Sequence, residues 1–205
     1  RFMDASLFYE KLLGKIPVSM ISKVWFLENI SETEKIFFEA LKRVIDIILA
    51  FMVGIMLLPL IIFAVIAIRL DSSGPAILKQ RRVGKMGRVY NHYKLRTMTA
   101  ISPDGHAEPN GAQWSLKNDL RVTRVGKVLR GTRVDELPHL WNILRGELSF
   151  VGPRPERPEF VEMLRREIPY YDMRHLVRPG LSGWAQINPP YYYASTKETM
   201  LKLQY

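Results

Sequence analysis

The chain contains no cysteine. That excludes disulfides, a thiolate nucleophile and any cysteine-based metal site, and it fits a reducing compartment. Histidine is scarce, with four in 205 residues. His92 and His106 stand isolated, without metal-ligand spacing around them. Acidic residues are outnumbered, 20 Asp and Glu against 30 Lys and Arg, for a formal charge of +10. Such an excess implies an anionic partner: nucleic acid, an acidic membrane surface or a phosphorylated ligand. Base-reading motifs are missing, so nucleic acid is not expected as a partner. Internal repeats and low-complexity tracts are missing too. A length of 205 residues suits one domain with appendages. The chain starts at Arg1 without Met and stops at Tyr205 within an amphipathic, helix-like run, as a piece of a longer protein would.

Long apolar runs, by contrast, are present. Residues 47–68 carry no charge. At about 1.5 Å per residue they would reach roughly 33 Å as a straight helix, enough for a bilayer core. Pro59, near the middle, removes the hydrogen bond to the Ile55 carbonyl. Both flanks are basic: Lys42 and Arg43 before, then Arg69, Lys79, Arg81, Arg82 and Lys85 after. The positive-inside rule would put both ends on the cytoplasmic side. Two topologies follow, a kinked span or a re-entrant helix-break-helix, and Pro is tolerated in spans. A capping box at Ser31 to Glu34 opens a helix that leads into this stretch.

The remaining chemistry concentrates in residues 130–156. Asp135 is a good helix N-cap and Pro138 suits a first turn. Leu137, Leu140, Trp141 and Leu144 form an apolar stripe at helical spacing. Gly146 ends the helix, with Arg145 in its last turn. Gly152-Pro153-Arg154-Pro155-Glu156 then forms a stiff loop presenting one Arg between prolines. A helix N-terminus with free N–H groups suits a phosphate. A carboxylate nucleophile at Asp135 beside Glu136 becomes useful when a divalent cation or Arg130, Arg133 and Arg154 neutralise an incoming anion. The plainer alternative is a capped helix with a solvated Asp-Glu pair.

Around this stretch, residues 72–75 read as a turn and residues 76–78 as the start of an apolar run. Gly84 and Gly87 flank a tight basic turn. Residues 89–98 read as a strand with Lys94 and Arg96 on one face. The basic residues between Lys79 and Arg96 could instead contact lipid phosphates. Residues 100–119 form a loop, and residues 121–131 a short basic helix. Residues 158–168 form an amphipathic helix with Phe160, Val161, Leu164 and Ile168 on its apolar side. Tyr170-Tyr171 and Tyr191-Tyr192-Tyr193 suit either a membrane interface or ordinary packing. Residues 178–188 are a Gly-rich loop entering a short strand.

Several motifs occur in one order: Lys42-Arg43 with Asp46, Gln80-Arg81-Arg82-Val83-Gly84, Tyr93-Lys94-Leu95-Arg96-Thr97-Met98, Asp135-Glu136-Leu137-Pro138, Val151-Gly152-Pro153-Arg154-Pro155 and Arg178-Pro179-Gly180-Leu181-Ser182-Gly183-Trp184. In that order they resemble the bacterial sugar transferases, the monotopic phosphoglycosyl transferases. The resemblance runs from about Lys42 to Tyr205. It implies an α+β, mostly helical fold: a re-entrant membrane helix over residues 42–70 and a cytoplasmic catalytic domain over residues 71–205, after a linker or helix over residues 1–41. Interfacial amphipathic helices and a small β element would complete it. It implies Asp135 as nucleophile and Glu136, with Asp135, as the Mg²⁺ site. Lys94, Arg130 and Arg154 match basic positions near such a site, and Arg96, Arg133 and Arg178 join them as candidate substrate contacts. The implied reaction moves a sugar phosphate from a UDP-sugar to polyprenyl phosphate at the cytoplasmic face of the bacterial inner membrane, with UMP as product. A homo-oligomer is left open. Two alternatives stand beside it: a membrane-anchored basic module that binds anionic lipid without catalysis, and a single-step transferase in which the Asp-Glu pair only binds metal.

Overall fold

The computed structural model describes residues 32–107, 119–168 and 170–187. The chain outside them includes residues 1–31 with Ser31 of the capping box, the middle of the loop expected over residues 100–119, and Tyr191-Tyr192-Tyr193. Those expectations lie outside the described residues.

The first element is the helix α1 (Glu32–Asp71), 40 residues long. It runs unbroken through position 42, where the membrane segment was expected to begin, and through Pro59. The residues on both sides of Pro59 are helical. Proline removes one hydrogen bond, but apolar neighbours on both sides favour helix, so a missing bond need not end it. Residues 36–71 form a helix long and apolar enough to cross a membrane. Phe51, Met52, Ile55, Met56 and Phe63 are all exposed on it, an apolar surface far larger than a water-facing helix carries.

The helix is not free of the rest of the molecule. On the N-terminal side of Pro59, Ala50 is buried with Tyr90, Leu140, Ile143 and Leu148. On the C-terminal side, Ala64 and Ile68 are buried with Ala76, Leu95 and Leu129. Polar contacts extend both attachments. Arg43 donates from Nη2 to the Leu144 carbonyl at 2.8 Å and from Nη1 to the Ile143 carbonyl. Asp46 accepts from the Phe150 N–H at 3.2 Å. At the far end Asp71 accepts from the Val125 N–H at 3.2 Å.

After the turn at residues 72–75 come β1 (Ile77–Val83) and β2 (Val89–Leu95). They pair antiparallel from Ile77 opposite Leu95 to Val83 opposite Val89. The basic turn between them is a 3₁₀ turn over Lys85–Gly87. Helix α2 (Arg124–Thr132) is capped by the Thr123 side chain, which accepts from the Gly126 N–H. It stops at Arg133, whose φ of 59° is left-handed. A 3₁₀ turn over Val134–Glu136 follows, then α3 (His139–Arg145). Gly146, at φ 81°, closes α3, as a left-handed C-terminal glycine commonly does.

A short parallel pair, β3 (Ser149–Val151) with β4 (Gly180–Ser182), joins distant parts of the chain. Helix α4 (Pro158–Glu167) starts on proline and buries Val161 and Leu164, with Ile168 just beyond it, against Val83 and Tyr171. Tyr171 thus belongs to a core, not to an interface. The short strand expected within residues 178–188 is β4, and residues Trp184–Ile187 form a last turn of helix, α5.

One buried side chain holds α3 to the hairpin. Asn142 accepts from the Tyr93 N–H at 3.0 Å and donates to the Asn91 carbonyl and to Glu147, both at 2.7 Å. Every polar atom of this fully buried amide is used. Asn142→Leu removes the partner of the Tyr93 N–H, of the Asn91 carbonyl and of one Glu147 oxygen. It should cost on the order of 3 kcal/mol, seen as a drop of roughly 10 °C in the thermal unfolding midpoint. An unchanged midpoint would mean that the hairpin and α3 hold together without the clamp.

Candidate active site

Asp135 lies in the 3₁₀ turn, not at a helix N-cap. A contact across the fold takes its carboxylate instead. Lys94, near the end of β2, places its ammonium 2.7 Å from Asp135 Oδ2. Asp135 is only 2% exposed, and its Oδ1 is buried without a hydrogen-bond partner among the described residues. A buried carboxylate oxygen left open is costly unless something else meets it. Glu136 follows, with Arg133 Nη1 at 3.1 Å and Arg154 Nη2 at 4.0 Å from its Oε1. Arg130 lies close enough to act electrostatically on Asp135, and its Nε donates to Thr97 Oγ1 at 2.8 Å.

Arg154 is held by its backbone surroundings. The Pro153 carbonyl accepts from the Gly180 N–H at 2.9 Å. The Arg154 carbonyl accepts from Arg174 at 2.6 Å, and the Pro155 carbonyl from Arg82 at 2.9 Å. The Glu156 carbonyl accepts from the Val83 N–H at 2.9 Å. Four successive carbonyls are thus pinned from β1, β4 and the 3₁₀ turn at Tyr171–Leu176. Gly152 and Gly180 let the two backbones meet, since a Cβ on either would collide with the other. The Arg154 guanidinium, half exposed, is left to reach outward.

Of the eight residues expected from the sequence, six come together: Asp135, Glu136, Lys94, Arg130, Arg133 and Arg154. Two do not. Arg96 is corrected from a substrate contact to an anchor of the fold. It is 1% exposed and donates to the Ser72 carbonyl at 2.7 Å, to Ser72 Oγ at 3.1 Å and to the Ser73 carbonyl. A cation on carbonyls just past the C-terminus of α1 also suits the helix dipole. Arg178 acts electrostatically on Glu39 and Arg43 near the start of α1.

Two residues were missed. His139, in the first turn of α3, stacks on His92 with ring centroids 3.9 Å apart. The two rings, with Arg82, Glu136, Arg154, Pro155, Gly180 and Leu181, line a pocket of about 270 Å³. No spacing rule joins positions 92 and 139; only the packing of α3 on β2 does.

Burial first, then the charges of Lys94, Arg154 and Arg82, push the His139 pKa down to about 3. Burial and the His139 ring likewise hold His92 well below its ordinary value. Both rings are therefore neutral in the folded protein near neutral pH. Folded pKa values below the unfolded one, about 6.5, mean that only the unfolded chain takes up these protons in between. Stability from the pair is thus complete above pH 6.5 and is lost as pH falls towards 3. Thermal unfolding followed from pH 7.5 to 4.5 should show a falling midpoint, with a shallower slope in His139→Phe. An identical slope in the variant would contradict this.

A second, apolar groove of about 1,310 Å³ lies between α1 and α3. Ala50, Gly54, Leu58 and Ile61 line one side and Leu137, Leu140, Trp141 and Leu144 the other, with Lys79 and Tyr93 at the hairpin. The stripe expected on α3 therefore faces the long helix. Leu137 and Pro138 connect this groove directly to the Asp135-Glu136 turn.

The family model for bacterial sugar transferases matches residues 37–205. The chain belongs to the bacterial sugar transferase family. The UDP-N-acetylgalactosamine-undecaprenyl-phosphate N-acetylgalactosaminephosphotransferase of Aeromonas hydrophila is 44% identical over 165 residues, covering 80% of this chain and 38% of that protein. The UDP-glucose:undecaprenyl-phosphate glucose-1-phosphate transferase of Caulobacter vibrioides is 44% identical over 146 residues, 71% of this chain and 53% of that one. Its namesake from Escherichia coli K12 is 40% identical over 148 residues, 72% and 31% respectively. The chain thus spans about a third to a half of these curated relatives. For this sugar transferase, all six clustered charged residues fall inside the matched segment.

Proposed function

We propose that this sugar transferase moves a sugar phosphate from a UDP-sugar to a polyprenyl phosphate through a covalent intermediate on Asp135. The observation that carries the reading is the divided state of the Asp135 carboxylate: Oδ2 is held by Lys94, while Oδ1 is buried without a protein partner among the described residues. Such an oxygen is oriented and poorly solvated, which suits a nucleophile. It attacks the phosphorus that bears the sugar. The bond from that phosphorus to the bridging oxygen breaks, and UMP leaves with the electron pair. An oxygen of the lipid phosphate then attacks the same phosphorus and returns the carboxylate. No proton transfer is required in either step. Arg154, and Arg130 with Lys94, offset charge on the phosphoryl oxygens.

The residues also fit Mg²⁺, held by Glu136 with Asp135. Mg²⁺ binds through one or two carboxylates with waters and substrate phosphates completing its shell, and the Glu136 carboxylate, next in sequence to Asp135, offers that kind of donor. Among the described residues no group of three or more His, Asp or Glu side chains could hold a metal alone. When bound, Mg²⁺ supplies charge neutralisation at the diphosphate.

The apolar groove beside Leu137 and Pro138 supports a lipid acceptor, with the tail along α1 and the phosphate at the Asp135 turn. Attachment of α1 on both sides of Pro59 supports a re-entrant topology at the cytoplasmic face. From Arg43 to Asp71 a straight helix would measure about 42 Å, more than the roughly 30 Å hydrocarbon core. With both ends bonded to the same domain, a straight crossing would draw α2 or α3 into hydrocarbon. Single cysteines placed near Ser31 and Ser72 should label from the same face of oriented vesicles. Labelling from opposite faces would sink the hairpin. The reaction itself is tested by UMP release from a panel of UDP-sugars with polyprenyl phosphate in detergent or nanodiscs. Release from at least one donor is expected, and release from none would end the reading.

A further inference from the structure

His139 has no role in the phosphoryl steps, yet it sits beside them. It is 4% exposed, and neither ring nitrogen has a hydrogen-bond partner among the described residues. His92 covers one face of the ring, and Tyr90 Oη lies 3.2 Å from His92 Nδ1, which fixes the supporting ring. The ring lines the pocket shared with Glu136 and Arg154.

A neutral imidazole carries one donor and one acceptor. The cations around the pocket, Lys94, Arg154 and Arg82, oppose a second proton. A phosphate group has only acceptors to offer, so it would satisfy one nitrogen and leave the other orphaned. A hydroxyl donates and accepts, so hydroxyl groups of a sugar can satisfy both. Geometry agrees with this division. The reacting phosphorus belongs at Asp135 and Arg154, and the transferred sugar is one bridging oxygen away. The pocket that begins at Glu136 and Arg154 and is walled by Pro155, Gly180 and Leu181 is the adjoining space. Relatives of equal identity, 44%, are named for different sugars, N-acetylgalactosamine and glucose.

We propose that His139, backed by His92, is the specificity-determining residue that reads hydroxyl groups of the transferred sugar. This rests on the reaction proposed above. A site built to hydrogen-bond a hydroxyl discriminates strongly against analogues that cannot meet it. The test compares wild type, His139→Gln and His139→Leu for UMP release from UDP-glucose, UDP-galactose, UDP-N-acetylglucosamine and UDP-N-acetylgalactosamine. The ratio of kcat/KM between the best donor and its epimer should fall at least tenfold in His139→Leu. In His139→Gln, which keeps a donor and an acceptor, it should be partly retained. Thermal unfolding of each variant shows that it is folded. A loss shared equally by all donors, or unchanged ratios, would overturn the proposal while leaving the reaction standing. A wild type that uses no donor would remove both. In a second measurement, ring ¹⁵N signals of His139 should respond to the preferred UDP-sugar and not to UDP. An equal response to UDP would place phosphate, not sugar, at the ring and refute the assignment.

Discussion

Incubated with a UDP-sugar and no lipid, the wild-type chain should release about one equivalent of UMP and keep one phospho-sugar, whereas Asp135→Asn should do neither. The adduct is an acyl phosphate, so hydroxylamine should cleave it, and polyprenyl phosphate should discharge it. Asn matches Asp in shape, and Lys94, a third exposed, can turn to water when its partner loses charge. The fold should therefore survive. What is lost is the anionic oxygen, and turnover should fall by at least about 10³-fold, the scale seen when a nucleophile is removed. Glu136→Gln should lose activity differently, with partial recovery in excess Mg²⁺. A single-step transferase would release UMP only with the lipid present and would never carry an adduct. Rapid-quench experiments that find no adduct, together with an active Asp135→Asn, would refute the covalent route.

Arg154→Ala should lower kcat/KM by about 10²-fold or more, the loss typical of removing one charge-stabilising donor. Arg154→Lys should recover only part of it, since an ammonium keeps the charge but not the planar fork that grips phosphate through two bonds. The thermal midpoint should stay unchanged in both, because the loop is fixed by its carbonyls and not by this side chain. Wild-type turnover in Arg154→Ala would remove it from the site.

The elements of local origin were legible in the sequence. Periodicity placed β2, α2 and α4 within a few residues, and adjacency placed Asp135 beside Glu136. What failed depended on partners far along the chain. Asp135 satisfies the statistics of a cap, but Lys94, 41 positions earlier, competes for its carboxylate. Arg96 shares a two-residue spacing with Lys94, and nothing local reveals that the carbonyls at Ser72 and Ser73 will claim it. His92 was isolated as text because the ring that stacks on it comes from another element. Pro59 marks a real loss of one hydrogen bond, but whether the backbone breaks there depends on what flanks it.

The four pinned carbonyls around Arg154 also order events during synthesis. Lys94 and Asp135 can meet once the chain has emerged to α3. The arginine cannot be set until Arg174 and Gly180 exist and β4 has paired with β3. Parallel pairing across some thirty residues closes a loop, and that makes it slow relative to the hairpin. A nascent chain therefore holds the carboxylate before it holds the clamp. On the proposed reaction, such a chain would have its carboxylate in place before the arginine that is to meet the phosphate.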